Sequence, residues 1–142
     1  MSDDEKKIEY LQMIQEPICR MSTISAIFKG FAATIVGGIS AISYKDVNLW
    51  ILGLSFLPVI AFAALDIYYL QLERKFRFLY EQVRLEKQDP DFSMRLTNDP
   101  VEIISAKAGF WDCVKSPSIF LFYPLMIVIL IVVFFLKCSN MI

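Results

Sequence analysis

Two ionisable side chains sit inside stretches that are otherwise apolar. Lys29 lies within residues 24–43 and Asp66 within residues 49–70. A charge at the centre of a bilayer costs about 2.5–3.5 kcal/mol on insertion scales, and less near the interface, so such residues pair with one another or line a polar cavity. Only a short segment, 44–47, joins the two stretches, which forces an antiparallel hairpin. Folding the chain about residues 46–47 puts Lys29 about 17–18 residues from the turn and Asp66 about 19–20, the same depth to within one helical turn. The spacing predicts an intramembrane ion pair toward one face of the bilayer. That pair could fix the register of the hairpin, or serve as a gate, a proton or ion pathway, or a lock between two states. Lys29 could also snorkel to the headgroups.

A third apolar stretch covers residues 119–136. Each of the three is long enough to cross a hydrocarbon core of about 30 Å as a helix. The chain has 142 residues, 56% of them hydrophobic, which leaves too little polar sequence for a separate soluble domain. The expected fold is an all-α membrane bundle in a single domain. Its parts are an amphipathic helix over 3–21, spans at 24–43, 49–70 and 119–136, a stalk helix over 71–88 continuing the second span, and a loop with an interfacial helix over 89–118. Ile8, Leu11, Ile14 and Ile18 make the apolar stripe of the first helix, and Pro17 predicts a kink in it. Leu72, Phe76, Leu79 and Val83 make the facing stripe of the stalk, which Asp89-Pro90 ends. Pro58 predicts a second kink, within the second span. Asp99, Pro100 and Glu102 read as N-cap, N1 and N3 of a helix whose apolar face holds Val101, Ile104, Ala108 and Trp111. The third span is apolar all round apart from Tyr123, the pattern of a lipid-facing anchor.

Positive charge sets the orientation. Lys6, Lys7 and Arg20 precede the first span, and Arg74, Lys75, Arg77, Arg84, Lys87, Arg95, Lys107 and Lys115 lie between the second and third. The N-terminus and the middle segment are therefore expected in the cytoplasm and the C-terminus outside, with Lys137 snorkelling at the outer end of the third span. The charged start MSDDEKKIEY is unlike a signal peptide, so the first span is expected to stay in the mature protein.

Small residues recur along the first span: Ala26, Gly30, Thr34 and Gly38 in one row, Ala33, Gly37 and Ala41 in the next. Such rows let helix backbones approach closely, within the hairpin or between copies, and predict a homo-oligomer. Arg20, Tyr68, Tyr69, Glu73, Arg74, Phe76, Arg77, Leu79 and Tyr80 mark a cytoplasmic interface, with Arg20 opposite Glu73. A ligand or a cytoplasmic partner would touch the chain there.

Composition narrows the chemistry. There is no histidine, so the commonest general base and transition-metal ligand is missing. Cys19, Cys113 and Cys138 have no zinc or redox spacing. A net charge of −1 gives no reason to expect nucleic acid. No nucleophile elbow, phosphate-binding glycine loop or metal-spaced carboxylate pair is present. The expectation is a protein that is not an enzyme and takes no cofactor, with membrane lipids among its partners.

The stretch EYLQMIQEPICRMSTISAIFKGFAATIVGGISAIS, followed by LDIYYLQLERKFRFLYEQVR, resembles a group of small, mostly uncharacterised bacterial inner-membrane proteins. The shared pattern is an IQ…I.RM lead, a K-G pair at Lys29-Gly30, and an exit LD.YYL..ER.FR.LY..VR from Leu65 to Arg84. It covers just over half of the chain and implies that Lys29, Asp66, Glu73 and Arg74 belong to one motif. More loosely, a hairpin flanked by cytoplasmic helices is similar to the SLATT-type transmembrane effectors of bacterial antiviral systems, from which the third span departs. That resemblance implies an oligomeric inner-membrane effector that permeabilises the membrane in an antiphage, abortive-infection type response, with a cytoplasmic protein or a nucleotide signal as its partner at the stalk. The alternatives are a non-lytic scaffold or adaptor and a small ion- or proton-coupled transporter.

Overall fold

A computed structural model describes residues 2–43, 45 and 48–139. The turn expected at 44–47 lies outside the described residues except for Lys45, and so does the C-terminal end at 140–142. Among the described residues the chain is helical and contains no strand. The helices are α1 (Asp3–Ile42), α2 (Leu49–Leu54), α3 (Phe56–Arg84), α4 (Pro100–Ser105), α5 (Phe110–Val114) and α6 (Pro117–Cys138). Three helical stretches are long and apolar enough to cross a membrane: Asp3–Ile42, Leu49–Arg84 and Pro100–Cys138.

The lead helix and the first span are one element. Pro17 lies inside the 40-residue α1 without ending it, giving up one backbone donor where flanking turns hold the helix. The second span, expected as continuous helix from 49 to the stalk, is instead divided at Ser55 between α2 and α3. Pro58 lies three residues on. It has no N–H to give the Leu54 carbonyl and its ring crowds that carbonyl, so the regular pattern fails in this turn. In the same turn the Ser55 hydroxyl donates to the Leu52 carbonyl at 2.5 Å, and the Ser55 N–H approaches that carbonyl at 3.3 Å.

The contacts form two compact units, Met1–Ser25 with Tyr68–Cys113, and Ala26–Ile67 with Val114–Ile142. The first is built on Tyr10, Ile14 and Ile18 of α1 against Leu79 and Val83 of α3, all buried, with Leu11, Met13, Phe76 and Tyr80 around them. The α1 face in use is therefore 10-14-18, at i, i+4, i+8. Ile8, expected in the stripe, is exposed. Tyr10 tilts against the Phe92 ring, with centroids 5.5 Å apart, and donates its hydroxyl to the Ser93 carbonyl, which ties the segment after α3 to this core.

The stalk helix ends at Arg84, earlier than Asp89-Pro90. Glu86 adopts a left-handed backbone (φ 60), the Glu86 N–H donates to Val83 and the Lys87 N–H donates to Gln82, which is a Schellman stop. Lys7 pairs with Glu86 at 2.9 Å and holds its carboxyl below the usual carboxylate range. A second such stop divides the expected interfacial helix. Lys107 is left-handed (φ 51) and its N–H and that of Ala108 donate to Ile104 and Ile103, so α4 ends at Ser105. Asp99 caps α4 as expected, accepting from the Val101 N–H at 3.0 Å. The expected face is split with it: Val101, Ile104 and Trp111 are exposed while Ala108 is buried.

In the second unit α1 and the residue after it bury Ala32, Val36 and Ser43, α2, α3 and the Ser55 between them bury Leu52, Ser55, Val59 and Asp66, and α6 buries Ile119, Tyr123 and Leu130. Each set repeats at three- and four-residue steps, one face per helix.

Candidate functional site

Among the described residues, Asp66 is the one charged side chain with no exposed surface. It stands on α3 seven residues after Val59, on the same buried face. Its Oδ2 atom lies 2.5 Å from the Lys29 ammonium of α1. The same oxygen accepts the Tyr123 hydroxyl of α6 at 3.0 Å. Tyr123 is itself buried, and its hydroxyl also approaches the Phe62 carbonyl, one turn earlier on α3, at 3.3 Å. The Lys29 ammonium lies 6.0 Å from the centroid of the Tyr123 ring, at the outer limit of a cation–π contact. Three helices thus meet at one carboxylate.

Each partner reaches the site for a local reason. Lys29 is the polar neighbour of Phe28, whose ring packs on Phe62 at 5.9 Å, and Phe31 stacks on the same ring at 6.1 Å. Those contacts set the register of α1 on α3. Tyr123 follows Ile119 by one turn on the buried stripe of α6, where Leu130 continues it. The third span is therefore more than a lipid-facing anchor. Its single tyrosine completes the polar site, and the signal for it was that lone hydroxyl in an apolar run.

Lys137 reaches the backbone that follows α1. Its ammonium donates to the Ser43 and Lys45 carbonyls at 3.3 and 3.1 Å, placing a cation just past the C-terminal end of α1, where the helix dipole favours one.

The small-residue rows are open. Ala26, Ala33, Thr34 and Ala41 are exposed, and a Cβ placed on Gly30, Gly37 or Gly38 meets nothing within 4 Å. The face of α1 that packs inside the unit is that of Ala32 and Val36 instead.

The residues expected at a cytoplasmic interface fall in the first unit. Leu79 is buried, and Phe76 and Tyr80 flank the core. Tyr68 is exposed, edge-on to Tyr69. Glu73 does not meet Arg20; it pairs along its own helix with Arg77 at 2.8 Å, and Arg20 is exposed. Arg74 donates to the Lys107 carbonyl at 2.6 Å and Gln71 to the Ala108 carbonyl at 3.3 Å, so two side chains of α3 grip the left-handed stop after α4.

In chemical terms, the Lys29–Asp66–Tyr123 cluster neutralises a charge within apolar helices and joins them. It offers no nucleophile beside a base. Among the described residues no three of the metal-ligating Cys, Asp and Glu side chains gather at one place. Cys113 is buried, and burial pushes its thiol up; Cys19 and Cys138 are exposed.

The site and helices define a membrane protein class, a helical chain with three segments able to span a bilayer and an ion pair buried among them. No family model, curated protein or solved structure matches the chain.

Proposed function

We propose that this chain is a multi-pass inner-membrane effector that acts as an oligomer and opens the membrane, with Lys29, Asp66 and Tyr123 holding its resting arrangement. The observation that carries the reading is the Asp66 carboxylate, fully buried and bound to two other helices through a single oxygen. Well-packed apolar residues would hold three helices at least as firmly, because desolvating the charges offsets much of their attraction. A pair that can be separated supplies something that apolar packing does not, a two-state element. The open rows that hold Gly30 and Gly38, and Gly37, support assembly, since a helix of a second copy can approach them closely. The excess of Lys and Arg before the first span and between the second and third supports a cytoplasmic N-terminus and middle segment. The antiphage setting rests on the resemblance to SLATT-type effectors.

The test is membrane potential and growth after induced expression of wild type, Lys29→Ala, Asp66→Ala and the double charge swap. Wild type and swap should depolarise alike and each single substitution should differ from them. Equal potential and growth in all four strains would exclude permeation controlled by the pair.

The exposed Val101, Ile104 and Trp111 favour a second reading, a non-lytic adaptor that recruits a partner through this edge. An adaptor should tolerate Lys29→Met with Asp66→Leu and fail when that edge is made polar.

A further inference from the structure

In the first unit a half-open cleft of about 350 Å³ is lined by α3, the turn after it, the segment 95–97 and the first turn of α4. Lys75, Lys87 and Arg95 all line it, and Glu102 is the only carboxylate that does. None of the three cations makes an ion pair or a side-chain hydrogen bond among the described residues. Of the other basic side chains of the unit, Lys6, Lys7, Arg77 and Arg84 pair with carboxylates and Arg74 with a carbonyl, while Arg20 and Lys107 do not line the cleft. Three like charges converging on one cleft repel one another and raise the local concentration of anions. Glu102, whose carboxylate accepts the Thr97 hydroxyl, offsets only one of the three charges. The walls are fixed locally: the Lys87 N–H closes the Schellman stop on Gln82, and the Asp99 N–H donates to Thr97 Oγ1 at 3.1 Å.

We propose that this cleft binds a nucleoside phosphate. Lys75, Lys87 and Arg95 hold the phosphate by charge-assisted hydrogen bonds, Arg95 with the planar fork that suits phosphate oxygens. Phe78, half-buried in the wall, gives the base a face to stack on. Glu102 accepts from a ribose hydroxyl or an exocyclic amine, which explains an acidic group at the edge of a cationic site. Bare phosphate would use only the cations, and the volume lies in the range of small-ligand pockets. The site stands whether or not the spans open the membrane, and a phospholipid headgroup offers the same phosphate chemistry from another source.

The experiment is equilibrium binding of fluorescent N-methylanthraniloyl ATP and GTP to the full chain in detergent, with orthophosphate as competitor. Lys87→Gln and Arg95→Gln are surface changes that leave the core intact, and Arg20→Ala removes an exposed cation elsewhere. Saturable binding of either nucleotide, weakened roughly tenfold or more by Lys87→Gln or Arg95→Gln and unchanged by Arg20→Ala, is expected from the loss of one charge-assisted bond. No binding of either nucleotide at millimolar concentration would overturn the proposal, as would equal affinity in all variants. A parallel titration in nanodiscs separates the sources. Nucleotide binding in neutral phosphatidylcholine that persists in phosphatidylglycerol supports the soluble ligand, and binding abolished by phosphatidylglycerol assigns the cleft to a lipid headgroup instead.

Discussion

The Tyr123 hydroxyl reaches Asp66 Oδ2 at 3.0 Å, so α6 is joined to α3 by a hydrogen bond to a charged acceptor as well as by apolar contact. The Lys29 ammonium shares that oxygen, and each of the three residues has a distinct cost when removed.

Tyr123→Phe should lower stability by about 1.5–3 kcal/mol, the range for a hydrogen bond to a charged group. Asp66→Ala should cost about 3–5 kcal/mol, because the ammonium loses its carboxylate in an apolar segment. Lys29→Met combined with Asp66→Leu should recover most of that loss. Thermal unfolding in detergent, analysed as a double-mutant cycle, measures all three. Additive single effects for Lys29 and Asp66 would contradict a coupled pair.

The core of the first unit should be sensitive at Ile14. It is fully buried between Tyr10 and Ile18 on one face of α1, so Ile14→Ala should destabilise by about 2–5 kcal/mol. Ile8→Ala, on an exposed position of the same helix, should change stability by less than about 0.5 kcal/mol. Hydrogen exchange of the α1 and α3 amides would show whether the loss is local to this unit.

Tyr10 gives a pH dependence. Burial, then the nearby Asp91 carboxylate, pushes its phenol from 10.0 up to about 12. A raised folded value means the folded chain keeps a proton that the unfolded chain releases. The stabilisation is therefore complete below pH 10 and falls as pH rises to about 12. Tyrosinate absorbance should show one late-titrating group that is absent in Tyr10→Phe, and the variant should lose the corresponding slope in stability.

Lys107→Gly should stabilise the chain by about 1 kcal/mol, since a non-glycine residue is strained in the left-handed region and glycine is not. Arg74 binds the Lys107 carbonyl, which glycine retains, so the gain is not offset. Glu86→Gly should show no such gain, because it also deletes the pair with Lys7. Chemical denaturation of the two variants side by side decides the point.

Thiol labelling should divide the cysteines. Cys19 and Cys138 are exposed and should react with a maleimide in the folded protein, whereas Cys113, buried and with its thiol pushed up, should react only after unfolding. A membrane-impermeant maleimide applied to intact cells should reach Cys138 and spare Cys19 if the N-terminus is cytoplasmic.

The three apolar runs, the charges placed within two of them and the cap at Asp99 could be read directly from residue types, because hydropathy, charge cost and capping are local properties. The facing depth of Lys29 and Asp66 followed from chain length on either side of a short turn. The placement of Ser55 as the break, rather than Pro58 itself, was less legible. Proline disrupts the turn before it, and where the helix yields depends on which neighbour can satisfy the freed carbonyls. The stops at Glu86 and Lys107 carried no glycine to announce them, and each is held by a distant side chain, Lys7 or Arg74.

By itself the sequence determined the class: helices able to span a bilayer, an ion pair at matched depth, and a polar segment between the second and third spans. Only the tertiary structure decided that Tyr123 joins that pair, that Lys137 turns back onto the end of α1, and that Lys75, Lys87 and Arg95 share one cleft. The reason is physical. Hydropathy and turn length act along the chain and leave their mark on neighbours, whereas these contacts join side chains of different elements, whose facing is fixed only when the helices and the segments between them pack.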